Sequence, residues 1–520
     1  MSGYLIGVDV GTSAAKAVIV SSTGRQIAEH SVEHGLLMPA PLHAEQDADI
    51  WFDSLIGAVR GAIEKSKIDP KTIQGITVTS LYGGSGVPVD AGLKPLRPCI
   101  IWMDRRAQAE CDFLIDNIAQ SWLFEVTGNG VDPYYGFSKM LWIKNNEPEL
   151  FAKIRYFLPP NAYFIARLTG EVAVDINSAG NIGGVFDIHK KQWSDALISM
   201  MGLPRHMFPN RLVNSNDVVG KLHDAGAAAL GLPVGTPVIA GGIDAAVATL
   251  SAGITEAGQH AAMIGTSMCW GFLHHDEKLQ PGLISMPYVL GGLTYSHGGA
   301  GTAGASIRWF RDNISAAHDL VRSPLADNDY TQDVYGLLAA QAKSIGAGSN
   351  GLIALPYFAG ERSPVWDGNA RGTITGLTLE HSNAHVYRAM LESVSYALRH
   401  AIDSVGSFAT SLENGLPVVG GAAQSALWLQ IIADVTGRPV RASASAGEAA
   451  FGGAALAALG LGMVDRAGLR NWILGGRQDD QVAPNHNNRE IYDVAYGQYR
   501  DLYTVLKPYF LAQSRKQRSA

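Results

Sequence analysis

Cysteine is scarce in this sequence. There are three in 520 residues, Cys99, Cys111 and Cys269, with no CxxC spacing and an odd one left over. A disulfide framework is therefore not indicated, and a reducing compartment, the cytoplasm, is the simple expectation. Long apolar runs are also lacking. The longest, Ala449 to Val464, is mostly Ala and Gly and too short to span a bilayer comfortably; it reads as a close-packed interior helix, and no membrane partner is expected. The opening MSGYLIGVDVG has no basic n-region or cleavage site and reads as a strand. Basic stretches are missing apart from a short Arg515–Arg518 tail, read as a solvated terminus, and the formal net charge is −7. A nucleic-acid backbone is a poor partner for such a chain. No linker is rich in Pro, Ser or charge, and no tract is of low complexity.

What is present is ordinary globular material, 47% hydrophobic and 17% charged. At roughly 100–200 residues per domain, the length predicts two large domains or three to four smaller ones. Short strand patterns at Tyr4–Val10, Ile73–Thr79, Pro237–Ala240, Ala261–Ile264, Leu293–Ser296 and Pro417–Val419 alternate with helical periodicity at Ile50–Ser66, Arg105–Ile118, Ala305–Arg311, His385–Val405 and Ala426–Val435. That alternation predicts α/β layers. Two regions begin alike, one strand ending in Gly11-Thr12-Ser13 and another in Gly265-Thr266-Ser267, about half the chain apart. The spacing hints at two related halves. A boundary near residue 250 divides the chain into 1–250 and 251–520. Residues 323–350 read as a weakly patterned helical or loop insertion.

Several motifs could carry chemistry. Asp9-Val10-Gly11-Thr12-Ser13 places a carboxylate at a strand end before turn amides and hydroxyls, a pattern that suits phosphate and Mg²⁺ and also occurs as a plain turn. Lys16 follows closely and could face phosphate or water. Gly241-Gly242-Ile243-Asp244 brings a carboxylate to a helix start, either as an N-cap or, together with Asp9, as a candidate general base. Gly299-Ala300-Gly301-Thr302-Ala303-Gly304 is a literal GxGxxG before a helix. A dinucleotide fold is the weaker reading, because no acid on a clear second strand follows, and approach of a nucleotide phosphate is the other. His381-x-x-x-His385 lacks the glutamate of a zinc helix. Gly360-Glu361-Arg362-Ser363-Pro364-Val365-Trp366-Asp367 concentrates charge in one loop, which ion pairing alone could explain. Val418-Val419-Gly420-Gly421-Ala422-Ala423-Gln424-Ser425 is a strand, glycine turn and helix on which a base or ribose could lie, or a plain βα turn.

Taken together, these residues resemble the FGGY carbohydrate kinases, a family that includes xylulokinases, ribulokinases, gluconate kinases and glycerol kinases. The resemblance runs from Asp9 to about Gly462. Its most specific stretch is Gly372-Thr373-Ile374-Thr375-Gly376-Leu377 with His385-Val386 and Ala389-Met390-Leu391-Glu392. Lys139-Met140-Leu141-Trp142-Ile143-Lys144-Asn145-Asn146 fits most of a second signature, with Gly136 where Pro, Ser or Thr is usual. The resemblance implies two ribonuclease-H-like, actin-like ATPase domains flanking an active-site cleft, residues 1–250 for the sugar and 251–520 for the nucleotide. It implies ATP and Mg²⁺, a small sugar or polyol as substrate, and a homodimer as the assembly to consider. By the same resemblance, Asp9 serves the metal, and Gly11, Thr12 and Ser13, with Lys16 nearby, form the first phosphate loop. Asp244 is the catalytic base and touches substrate. Gly265 and Thr266 form the second phosphate loop, Gly304 and Arg308 lie beside the phosphates, and Gly421, Ala422 and Ser425 line the adenosine pocket.

The sugar site departs from its relatives. A Met-His pair marks xylulokinases and an Arg-Glu pair glycerol kinases, whereas this chain has Ser80-Leu81-Tyr82-Gly83-Gly84-Ser85. Tyr82, Trp102, Asp104, Arg105 and Tyr134 are the expected sugar-facing residues. A pentulose is the first expectation, with glycerol, erythritol, ribulose or gluconate as alternatives. A filament- or chaperone-type ATPase on the same fold is the distant rival.

Overall fold

In a computed structural model that describes residues 3–81, 84–275, 279–315, 334–443, 449–475 and 481–518, the chain divides into two compact units. The first comprises Met1–Ala257, Leu273–Ser296 and Ala446–Arg477; the second comprises Gly258–Phe272, His297–Ser445 and Gln478–Ala520. Tyr82 and Gly83 lie outside the described residues, as do 323–333 of the expected insertion at 323–350, of which Val334–Lys343 is a helix.

The first unit is built on a six-stranded mixed sheet. Its strands are β1 (Tyr4–Val10), β2 (Ala14–Ser21), β3 (Gln26–Glu33), β4 (Ile73–Ser80), β5 (Val218–Lys221) and β6 (Pro237–Ile239), in the order β5-β6-β4-β1-β2-β3. β4 runs parallel to both β1 and β6, and β2 folds back antiparallel on β1 so that Asp9 faces Lys16 across the ladder. Leu5, Ile6, Val8 and Val10 are fully buried because the sheet is covered on both faces. Helix α1 (Ala48–Ser66) packs on β2 and β3. Its start is fixed by Asp47, whose carboxylate accepts from the N–H groups of Asp49 at 2.8 Å and Ile50 at 3.3 Å. Against β1 and β4 lies the alanine-rich helix Ala449–Gly460, which also packs on α2 (Asp244–Ser251). Small side chains let it come close: a Cβ on Gly7 would stand 1.8 Å from the Ala450 carbonyl oxygen.

The second unit repeats the opening theme. β7 (His260–Ile264) and β8 (Met268–His274) form an antiparallel pair, and β9 (Leu416–Val419) lies parallel to β7 as β4 does to β1. In each pair of strands the Gly-Thr-Ser turn joins the first two. Helix α3 (Gly304–Asn313) follows the GxGxxG turn. Helix α4 (Asn383–Asp403) starts with a capping box, Ser382 and His385 each satisfying the other's backbone N–H. Helix α5 (Ala426–Thr436) leads to β10 (Val440–Ala442), paired on one side with β9 and on the other with β11 (Gln481–Val482). Helix α6 (Arg489–Arg518) completes the unit. The helix expected at Arg105–Ile118 begins later, at Gln108, because Arg105 and Arg106 are held in ion pairs before it. Among the described residues, no helix is long and apolar enough to cross a membrane.

Candidate active site

In the first unit, the strand ends of β1, β4 and β6 bring two carboxylates to one place. Asp9 ends β1 next to the turn, and the Thr79 hydroxyl on β4 lies 3.2 Å from its Oδ1. Asp244 opens α2 just past β6. Gly241 adopts φ +70°, which suits glycine, and a Cβ there would lie 2.2 Å from the Val78 carbonyl. The Asn177 carboxamide oxygen accepts the Ile243 N–H at 3.0 Å and fixes the helix start. Ile243 is thus the N-cap residue, and Asp244 sits in the first turn, its Oδ1 accepting its neighbour Ala245 N–H at 2.7 Å. Although part of Asp244 is accessible, its carboxyl is enclosed by protein. Burial first, and the charge of Asp9 second, hold its pKa well above the usual carboxylate range, against the pull of the Ala245 N–H.

The Gly11-Thr12-Ser13 turn has its carbonyls turned to protein donors. The Gly11 oxygen receives His34 Nε2 at 2.9 Å, the Thr12 oxygen Gln46 Nε2 at 2.7 Å, and the Ser13 oxygen the His34 N–H at 3.0 Å. With these carbonyls engaged, the Thr12 and Ser13 hydroxyls are left on the accessible side of the turn. Lys16 reaches Glu29 at 3.2 Å. Trp102 donates its indole N–H to the Thr12 hydroxyl at 3.1 Å. Arg105 grips Asp132 with two nitrogens, at 2.6 and 2.9 Å, and the same Asp132 accepts the Tyr134 N–H at 2.8 Å. The segments around residues 102–105 and 132–134, far apart in sequence, are thereby locked together.

Asp104 is 1% exposed and fully engaged. It accepts the Ala44 N–H at 2.6 Å and the Arg106 guanidinium on both oxygens. Arg106 continues to Glu45, Glu45 to Arg97, and both arginines lie over Trp142. Beneath Tyr134, the buried Lys139 ammonium donates to the Pro133 and Tyr134 carbonyls at 2.8 and 2.6 Å. Burial lowers its pKa to about 7 in spite of the nearby Asp104 and Asp132 charges.

In the second unit, Gly265 and Thr266 are exposed, and a Cβ on Gly265 would meet nothing within 4 Å. The GxGxxG turn is hydrogen-bonded to them: Ala303 N–H to Thr266 O at 2.9 Å and Gly304 N–H to Gly265 O at 2.8 Å. Arg308 stands exposed one turn into α3. The charged loop fastens on from the other side. Glu361 Oε1 accepts the Gly301 and Arg362 N–H groups at 2.8 and 2.7 Å, and Arg362 reaches the Ala300 carbonyl at 3.2 Å. Burial lifts the Glu361 pKa to about 7, opposed by those two N–H groups and by the Arg362 charge. Gly421 is exposed beside the end of β7, Ala422 is buried, and Ser425 caps α5 through the Trp428 N–H at 3.3 Å. His381 and His385 are engaged with Thr378 and with Ser382 and Asn350, respectively. Tyr82, expected at the sugar, lies outside the described residues.

His34, Gln46, Asn177, Lys139 and Glu361 belong to these sites although sequence reasoning gave none of them a role there. Two of them carried a local signal, Lys139 as a lysine within the apolar helical stretch from Gly136 to Leu141 and Glu361 as part of the charge-rich loop.

An α/β fold with two Gly-Thr-Ser turns and an aspartate pair beside one of them suits phosphoryl transfer. Models of the FGGY family of carbohydrate kinases match its N-terminal domain to residues 4–251 and its C-terminal domain to residues 260–461. A xylulose kinase from Bacillus subtilis (strain 168) is 30% identical over 511 residues, 97% of each chain, and a gluconokinase from the same organism is 26% identical over 99% of this chain and 96% of its own. The crystal structure of xylulose kinase from Rhodospirillum rubrum superposes with a TM-score of 0.86 at 29% identity, covering 98% of this chain and 99% of that one. The chain belongs to the FGGY family of carbohydrate kinases and is an ATP-dependent carbohydrate kinase.

Proposed function

We propose that this kinase acts on a pentulose in the manner of xylulokinases, moving the γ-phosphate of ATP to one of its hydroxyls. The observation that carries the mechanism is Asp244, a carboxyl with raised proton affinity beside Asp9 and the Gly11–Ser13 turn. The choice of pentulose rests on the relatives named xylulose kinase.

A sugar hydroxyl is a weak nucleophile at neutral pH, and Asp244 accepts its proton as the oxygen–phosphorus bond forms. The bond between the γ-phosphorus and the bridging oxygen breaks, and ADP leaves. Asp9 is the residue to hold Mg²⁺: two carboxylates whose charges oppose each other, next to turn hydroxyls, suit a divalent cation. When bound, the ion would neutralise charge on the phosphates. Thr12, Ser13 and Lys16 meet the transferring phosphate. Gly265, Thr266, Gly304 and Arg308 serve the nucleotide phosphates, and Gly421, Ala422 and Ser425 the adenosine. The ring of Trp102, with Arg105 and Tyr134, faces the sugar, and Asp104, with no free oxygen, holds that segment in place. We place the enzyme in the cytoplasm, in keeping with three cysteines of which none is in a disulfide.

The test is ATP consumption over ketopentoses, tetritols, pentitols, glycerol and sugar acids. A ketopentose should give the highest kcat/KM. Asp244→Asn should keep ATP binding while transfer falls by about 10²–10⁴-fold, the usual contribution of a positioned base. If no sugar accelerates ATP consumption, or if the Asn variant works at the parent rate, the mechanism is wrong.

A further inference from the structure

Resting on that phosphoryl-transfer reading, we propose that Trp102 is a positioning residue for the first phosphate turn: its indole N–H fixes the Thr12 hydroxyl so that the hydroxyl hydrogen is kept for a phosphate oxygen.

The argument is one of hydrogen inventory. Indole nitrogen only donates, while a threonine hydroxyl has one hydrogen and two acceptor sites. At 3.1 Å from Trp102 Nε1, Thr12 Oγ1 must therefore be the acceptor. Its own hydrogen then points elsewhere. The carbonyls of Gly11, Thr12 and Ser13 are already occupied by His34 and Gln46. The hydrogen is left for a ligand on the open side, and both Thr12 and Ser13 retain exposure there.

The donor itself is held rigidly. Two residues on, Asp104 is buried and tied to Ala44 and Arg106; three residues on, Arg105 is clamped to Asp132. Those bonds anchor the backbone from which the indole projects. One short segment therefore contacts the phosphate turn through Trp102 and the Asp132–Tyr134 segment through Arg105. Orientation of the hydroxyl before ATP arrives removes part of the ordering cost of transfer.

A double-mutant cycle tests this. Trp102→Phe keeps an aromatic ring and removes the donor; Thr12→Val removes the hydroxyl. MgATP affinity is measured by calorimetry without sugar, and kcat and both KM values with the best sugar. Trp102→Phe should weaken ATP binding or lower kcat by about 3–15-fold, the range of one hydrogen bond, while the sugar KM changes less than twofold. In the Thr12→Val background the same change should cost almost nothing. Thr12→Ser should stay sensitive, and Trp102→His, whose ring N–H can donate, should recover part of the loss. An additive cycle, or a Trp102→Phe defect confined to sugar KM, overturns the proposal and leaves Trp102 acting on the sugar alone. A parent that binds ATP but phosphorylates no sugar would refute the kinase reading instead, and the ATP-binding cycle would still decide for or against the Trp102–Thr12 link.

Discussion

Asp244 holds its proton more tightly than an exposed aspartate because it is enclosed and faces the charge of Asp9. Below about pH 3.9, the ordinary aspartate value, the carboxyl is protonated folded or unfolded and contributes no difference. As pH rises from there to the raised folded value, the unfolded chain gives up the proton first, so the folded state loses stability. Asn does not titrate. In metal-free buffer, Asp244→Asn should therefore melt with the parent near pH 4 and above it at pH 8 and beyond. A tenfold difference in proton affinity corresponds to about 1.4 kcal/mol, or about 2–4 °C for a unit of this size. Equal melting temperatures at alkaline pH would show that the carboxyl is not under this strain. The carboxylate pair was legible from Asp9 before a Gly-Thr-Ser turn and Asp244 after two glycines. The commitment of Asp104 was not, because it depends on Ala44, Glu45 and Arg97, which only the fold brings near.

Two glycines at strand ends and centres separate packing from ligand approach. Gly7 lies within β1, where a Cβ would drive into the Ala450 carbonyl and crowd the Ala454 N–H, both of them backbone. Gly7→Ala should destabilise the protein by about 1–3 kcal/mol or more, read as a lower denaturant midpoint. Gly265, on the exposed Gly-Thr-Ser turn after β7, has open space where its Cβ would go. Gly265→Ala should leave the melting temperature within about 1–2 °C, since exposed sites cost little, and raise the ATP KM because a methyl group would stand where phosphate approaches. An unaltered ATP KM would remove this turn from the nucleotide site. Elements with strong periodicity, such as α1 and α4, and short apolar runs bounded by glycine, such as β1 and β7, were readable directly. The helix after Arg105 started late because ion pairs with Asp132 and Asp104 override its local pattern.

At the scale of the whole molecule, α6 lies beyond the residues that the family models match, yet it is built into the second unit. The hydroxyls of Tyr499 and Tyr357 lie 2.8 Å apart, and the Tyr503 hydroxyl donates to Asp367 at 3.0 Å. Asp367 is paired through backbone with Glu361, which holds the Gly301 N–H. Tyr503→Phe should therefore raise the ATP KM a few-fold, about one hydrogen bond's worth, with the sugar KM unmoved. A change in sugar KM instead would contradict that route. The alanine-rich helix Ala449–Gly460 has a different consequence. It covers β1, β4 and α2, all formed from the first 251 residues, so the first unit lacks part of its core until the chain is nearly finished. At about 5–20 residues per second, synthesis from β4 to this helix takes on the order of tens of seconds, during which an apolar sheet face is open to water and to other nascent chains. A premature stop before Ala449 should therefore yield insoluble protein rather than a free first unit.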